Sequence, residues 1–197
     1  MPKFDEGKLR FDFGERWRVE KWDACSAYAQ GISKLSGELD EPGGGVRVEG
    51  TKAVDFVGVL DGERLYLCEV KDFRGYRIEN DDRQLGGLPL EVGLKVRDTL
   101  AGLVGAYARM GAPPWVDEYG QVLARRKHQV HVVVLIAEDD VRPNEPRGKR
   151  EARDNERLKR VKQKLAWLTT KVWVENPLQQ RAMPDLSVES LPGAGQK

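Results

Sequence analysis

Between Lys52 and Lys71 the chain reads as two strongly apolar runs joined by an Asp61-Gly62 turn, and three ionisable residues interrupt them: Asp55 in the first run, Glu69 and Lys71 at the end of the second. A carboxylate costs several kcal/mol to desolvate unless a cation or hydrogen bonds compensate it. Leu65-Tyr66-Leu67-Cys68, directly before Glu69, is too apolar for an exposed strand, so these charges are expected to be held inside. Two carboxylates and a lysine at the ends of adjoining strands suggest a metal site. The plain alternative is a solvated Glu69 and Lys71 pair on a half-exposed strand, with Asp55 at a strand edge.

Strand parity decides whether the three residues can meet. Side chains alternate between faces, so Glu69 and Lys71 share a face with Leu65 and Leu67, whereas Tyr66, Cys68 and Val70 take the other. Asp55 shares its face with Val57 and Val59. A two-residue Asp61-Gly62 loop would set Asp55 opposite Cys68 and put it and Glu69 on opposite faces. A three-residue loop, Leu60-Asp61-Gly62 with Gly62 left-handed, would pair Val59 with Glu63 and Asp55 with Leu67, bringing Asp55, Glu69 and Lys71 onto one face. The site therefore requires an odd loop or a bulge.

Val54-Asp55, a hairpin, and then Glu69-Val70-Lys71 resemble the motif of the PD-(D/E)XK nuclease superfamily. Val54 stands where that family often carries proline. The resemblance implies a restriction-endonuclease-like fold of the α/β class, an αβββαβ core with a central mixed sheet flanked by helices. It implies that Asp55, Glu69 and the Val70 backbone carbonyl bind Mg²⁺ or Mn²⁺, and that Lys71 orients the attacking water or stabilises charge on the scissile phosphate. The family commonly adds an acidic residue from the first helix; Glu20, or alternatively Glu15, is the candidate, with Glu20 favoured because Ala24, Ala27 and Gly31 along its row allow close approach. The implied activity is metal-dependent phosphodiester hydrolysis. A DNA endonuclease of restriction, anti-phage defence, mobile-element or repair systems is the leading reading. The rivals are a non-catalytic protein that binds nucleic acid or a partner on the same fold, and a dimeric Holliday-junction resolvase.

The element order follows the same pattern. Glu15 to Ser36 carries Trp22, Cys25, Ala29 and Ile32 at helical spacing and reads as a first helix. Val46 to Val48 reads as a short strand, Phe73 to Pro89 as a polar connection, Glu91 to Met110 as a second helix, Gln129 to Ala137 as a buried central strand, and Lys171 to Glu175 as a last strand. Residues 1–183 are expected to form one domain and 184–197 a disordered tail.

Formal net charge is only +1, so affinity for a polyanion must come from local patches. Eleven Lys or Arg face four acidic residues between Val141 and Lys171. Arg150, Arg153, Arg157, Lys159 and Arg160 there, with Lys95 on the second helix, are the candidate nucleic-acid contacts. A solvated helix face with pairs such as Glu156-Arg160 is the plain alternative. Of the five tryptophans, Trp17, Trp22, Trp167 and Trp173 are expected in the core, and Trp115, after Pro113-Pro114, in a loop available for base stacking. Two isolated cysteines and two histidines exclude a zinc ribbon, a disulfide scaffold and a His-based metal site. The sequence has no apolar run of membrane-spanning length and no signal-peptide pattern, so a cytoplasmic protein without membrane contact is expected, acting on DNA, alone, as a homodimer or in a larger defence complex.

Overall fold

The computed structural model describes residues 2–35, 37–39, 46–48, 50–74, 87–109, 114–125, 129–138 and 147–192. Five strands form its central sheet: β3 (Trp17–Lys21), β6 (Phe56–Leu60), β7 (Arg64–Asp72), β8 (Val130–Ala137) and β9 (Val172–Glu175), in that spatial order. The first two pairings are antiparallel; β7 with β8 and β8 with β9 are parallel. Parallel neighbours require crossovers, which two helices supply: α2 (Leu88–Ala108) between β7 and β8, and α4 (Arg147–Leu165) between β8 and β9. A third helix, α3 (Pro114–Ala124), follows α2, and a single turn, α1 (Ser26–Ala29), precedes the hairpin β4 (Gly37–Leu39) and β5 (Val46–Val48). The molecule is thus a mixed α/β protein.

Alternation along the central strands creates two cores. Val57, Val59, Leu65, Leu67, Val132, Val134 and Ile136 face α2, α3 and α4. Phe56, Leu60, Tyr66, Cys68, Val70, Val133 and Leu135 face the other way. Covering that second face is a sheet of β1 (Lys3–Glu6), β2 (Leu9–Phe13) and β10 (Leu186–Ser190), with Leu9, Phe11 and Phe13 fully buried. β8, sandwiched on both sides, is buried along its whole length, as its unbroken apolar run Val130–Ala137 requires.

Three expectations are corrected. Residues from Glu15 on do not form a helix: Trp17–Lys21 is strand β3, buried at Trp17 and Val19 and paired with β6, followed only by short turns of helix. The wide spacing of Trp22, Cys25, Ala29 and Ile32 mimics a helical stripe, but Trp17-Arg18-Val19-Glu20 alternates, and its apolar residues complete the second core. Nor is the C-terminal segment a tail, because Leu186–Ser190 pairs along β2 and the Pro184 carbonyl accepts a hydrogen bond from the Trp17 indole at 2.7 Å; residues 193–197 lie outside the described part. Finally, Trp115 sits in α3, part-buried, with its ring edge-on to Trp22 and Tyr119 at 6.1 and 5.3 Å, whereas Trp167 is 60% exposed rather than in the core.

Candidate metal centre

The hairpin carrying the motif has an odd loop. Leu60 pairs with Arg64, leaving Asp61, Gly62 and Glu63 between them, one position further on than Leu60-Asp61-Gly62. Asp61 and Gly62 are both left-handed, at φ 55° and 66°, and the Glu63 N–H donates to the Leu60 carbonyl at 3.1 Å. This is a two-residue left-handed turn of the kind that matches strand twist, with Glu63 as the extra residue. Arg16 and Arg64 both donate to the Asp61 carboxylate, which holds its pKa below the usual range. Continued past Phe56 and Cys68, the register sets Asp55 directly opposite Glu69, on the face turned to α2.

Backbone direction adds a third oxygen. Leu65 and Phe73 donate their N–H groups toward β8, to the Gln129 and Ala137 carbonyls, so the odd residues of β7 face β8 and the even ones face β6. Val70 accordingly directs its N–H and its carbonyl to the edge where β6 has ended. There the Asp55 carboxylate takes the place of a ladder partner, accepting the Val70 N–H at 2.6 Å. Asp55 and Glu69 therefore share a face at the edge toward which the Val70 N–H and carbonyl are directed.

Two lysines neutralise this buried pair. Glu69, 1% exposed, accepts from Lys71 Nζ at 2.9 Å and from Lys95 Nζ at 2.7 Å, both on Oε1. Lys95 also stands 4.0 Å from Asp55 Oδ1, and Lys71 is shared with Glu91 Oε1 at 2.7 Å. Glu91, Lys95 and Asp98 recur at i, i+4 and i+7 on α2, so one stripe of the helix faces the motif strands while Val92, Val96 and Leu103 bury into the core. Burial, reinforced by Glu69, pushes Asp55 up to about 7. Burial also raises Glu69 above the usual carboxylate range despite both lysines. Lys71 is pulled down by its own burial but ends above its ordinary value, because Glu69 and Glu91 outweigh that effect.

A second group of carboxylates meets Asp55 from outside the motif. Glu6, at the end of β1, Asp23, just after β3, and Asp55 bring one oxygen each within 4.8 Å of one another. Lys21 bridges to Glu6 at 2.7 Å. Burial raises Asp23 above the ordinary carboxylate range. The donor set is all oxygen, which suits Mg²⁺ or Mn²⁺ rather than zinc. Glu69 Oε2 is buried and without a hydrogen-bond partner, an expensive state for a carboxylate oxygen that a bound cation would relieve. The residues present thus fit a hard divalent ion.

The other expected site residues are placed differently. Glu20 lies on β3 opposite Val57, part-buried, with its pKa raised by burial, and is not one of the converging carboxylates; Glu15 sits in an exposed turn. Glu6 and Asp23, which the sequence reading did not single out, are the carboxylates that approach Asp55 instead. Their signal in the sequence was faint: Glu6 follows an alternating Phe4 strand and Asp23 follows Trp22, with no motif around either. Arg157 is 3% exposed and bound to Glu138 at 2.7 Å, so it joins α4 to the end of β8 instead of facing solvent. Arg153 also pairs with Glu138, at 3.5 Å, and Arg160 pairs with Glu156 at 2.7 Å in the i,i+4 manner. Lys159 is largely exposed, and the Arg150 side chain lies outside the described part.

No family model matches the chain, and no solved structure matches it. A cysteine–tRNA ligase from Neisseria meningitidis is 32% identical to it over 120 residues, a match covering 54% of this chain and 17% of that protein. The chain thus spans less than a fifth of the length of the curated relative it matches.

Proposed function

We propose that this protein is a metal-dependent nuclease of the PD-(D/E)XK type, built on a restriction-endonuclease-like core and acting on DNA. The observation that carries the reading is the meeting of Asp55 and Glu69 on one buried edge, with the Val70 carbonyl directed there and Lys71 on Glu69. The reading is supported by an antiparallel β3-β6-β7 order followed by helix and parallel strand, the βββαβ part of such a core, whose first helix is here reduced to short turns after β3. Asp55, Glu69 and the Val70 carbonyl would hold Mg²⁺ or Mn²⁺, while Glu6 and Asp23 form with Asp55 a second oxygen group that Glu69 does not join. When bound, such an ion polarises a phosphate oxygen and lowers the pKa of water.

The chain's own groups do the rest. Lys71, 17% exposed at its side chain and held between Glu69 and Glu91, is rigidly placed to orient a water and to stabilise negative charge on the phosphate. The hairpin and the Asp55 bond to Val70 fix the carboxylates before substrate arrives, so little reorganisation is needed. A defence, mobile-element or repair setting fits a DNA endonuclease of this kind.

The test is incubation with supercoiled plasmid, linear duplex, single-stranded DNA, a four-way junction and RNA, with Mg²⁺, Mn²⁺ or EDTA. Metal-dependent cleavage that disappears in Lys71→Ala and Glu69→Gln is expected. Cleavage in EDTA, or no cleavage of any polymer with either metal, rejects the reading.

A further inference from the structure

Lys95 occupies a position that the motif does not account for. Its ammonium touches Glu69 Oε1 at 2.7 Å and stands 4.0 Å from Asp55 Oδ1, next to both carboxylates of the motif. Lys71 already pairs with Glu69 at the same oxygen. The result is uneven: Oε1 carries two ammonium groups, while Oε2 is buried and has no partner. Lys95 has a side chain only 15% exposed and is carried by α2, whose next turn is tied to the backbone ahead of Asp55 through Asp98 and Thr99. It is therefore presented to the carboxylates by a rigid element.

Resting on the nuclease reading, we propose that Lys95 is a resident counter-ion of the metal centre, which a divalent cation displaces and which then serves as a phosphate-positioning residue. A divalent ion seated between Asp55 and Glu69 competes with the Lys95 ammonium for the same two carboxylates, and its double charge adds to the repulsion already present between Lys95 and Lys71. Before metal binds, Lys95 lowers the cost of burying two carboxylates together. Once displaced, its four-carbon stem lets the ammonium swing toward solvent without moving α2, into the path of the polyanion. Metal and polyanion binding thereby become linked, since the positive charge offered to phosphate is released only when the metal arrives.

Mn²⁺ titration calorimetry on the wild type, Lys95→Gln and Lys71→Gln tests this. Each variant removes one positive charge from the same Glu69 oxygen, but only Lys95 approaches Asp55. Lys95→Gln is expected to bind Mn²⁺ about tenfold or more tightly than the wild type and more tightly than Lys71→Gln. Its melting temperature should be lower than that of the wild type without metal and should rise more on Mn²⁺ addition. In a Lys71→Ala background, which keeps the duplex uncut, Mn²⁺ should tighten binding of a short DNA duplex, and adding Lys95→Gln should shrink that gain. Equal Mn²⁺ affinity in Lys95→Gln and the wild type, or equal gains in the two variants, overturns the displacement while leaving the nuclease reading intact. Absence of Mn²⁺ binding in all three proteins overturns both.

Discussion

Thr99, fully buried in the middle of α2, accepts a hydrogen bond from the Val54 backbone N–H at 3.1 Å. Its neighbour Asp98 accepts from the Lys52 N–H at 3.0 Å. The helix that carries Lys95 therefore also holds the backbone directly before Asp55, which locks the distance between the two. Thr99→Val keeps the shape and leaves the Val54 N–H unpaired in the interior. It is expected to cost about 1–3 kcal/mol in urea unfolding, and to loosen metal binding although Thr99 touches no site oxygen.

Asp55 carries a pH signature. Its carboxyl is pushed up to about 7 from an ordinary 3.8. Between those values the native state holds a proton that the unfolded chain has released, so this group makes stability fall as pH rises from about 4 to about 7. Asp55→Asn keeps an oxygen for the Val70 N–H and has no proton to lose. Metal-free Asp55→Asn should therefore gain on the wild type as pH rises, by about 1–4 kcal/mol across the window. The same variant should bind no Mn²⁺, and wild-type Mn²⁺ affinity should climb with pH toward 7 as the ion takes the proton's place.

Much of this centre was legible because period-2 alternation and one turn dictate it. Asp55 and Glu69 fall on one face for any odd loop, and the Asp61-Gly62 pair, able to take positive φ at both positions, makes a tight turn with Glu63 left over. The β1–β2 hairpin was missed even though Phe4, Leu9, Phe11 and Phe13 alternate around a left-handed Gly7. β10 was missed because Leu186-Ser187-Val188-Glu189-Ser190 is only half-buried and polar, its pairing set by a strand more than 170 residues away. Glu6, Asp23 and Glu91 are long-range partners of the motif; no local pattern marks a carboxylate whose role comes from where its strand ends.

His131 tests the second core. It lies between Tyr66 and Trp173, stacked on the latter at 5.3 Å and 13°, and neither ring nitrogen has a hydrogen-bond partner. Burial, aided by Lys171 and Arg64, pushes it down to about 4. The unfolded chain takes up a proton below about 6.5 that the native state refuses, so this residue makes stability fall as pH drops from about 6.5 toward 4. His131→Phe removes two unsatisfied nitrogens and keeps the stack. It should be as stable as the wild type or up to about 2 kcal/mol more stable at pH 7, and its advantage should widen at pH 5.

The basic helix divides by position. β7, β8 and β9 are parallel, so α4 starts beside the end of β8, where Glu69 and Lys71 also lie, and returns to the opposite end of the sheet. Lys159 and Lys162, in its second half, are exposed but remote from the motif. Replacing both with Ala should leave metal-dependent cleavage within about twofold and change the salt dependence of duplex binding little. Arg157→Met, by contrast, should lower the melting temperature, because Glu138 loses its 2.7 Å partner.

Glu6 and Asp23 separate the proposed site from the one that strand and helix patterns suggested. Both bring an oxygen within 4.8 Å of one on Asp55, whereas Glu20 lies on β3 opposite Val57, two positions further along. Each has a local counter-charge or partial exposure that lets it lose its carboxylate without unfolding the chain: Glu6 pairs with Lys21, and Asp23 is exposed. The double substitution Glu6→Gln with Asp23→Asn should therefore weaken Mn²⁺ binding by about tenfold or more, near 1.4 kcal/mol, with little change in melting temperature. Glu20→Gln should leave Mn²⁺ affinity unchanged and, by removing a part-buried carboxylate whose pKa burial has raised, should raise stability slightly. Calorimetric titration of the three proteins decides the point: if Glu20→Gln abolishes binding and the double variant does not, the centre is completed from β3 and not from the N-terminal hairpin.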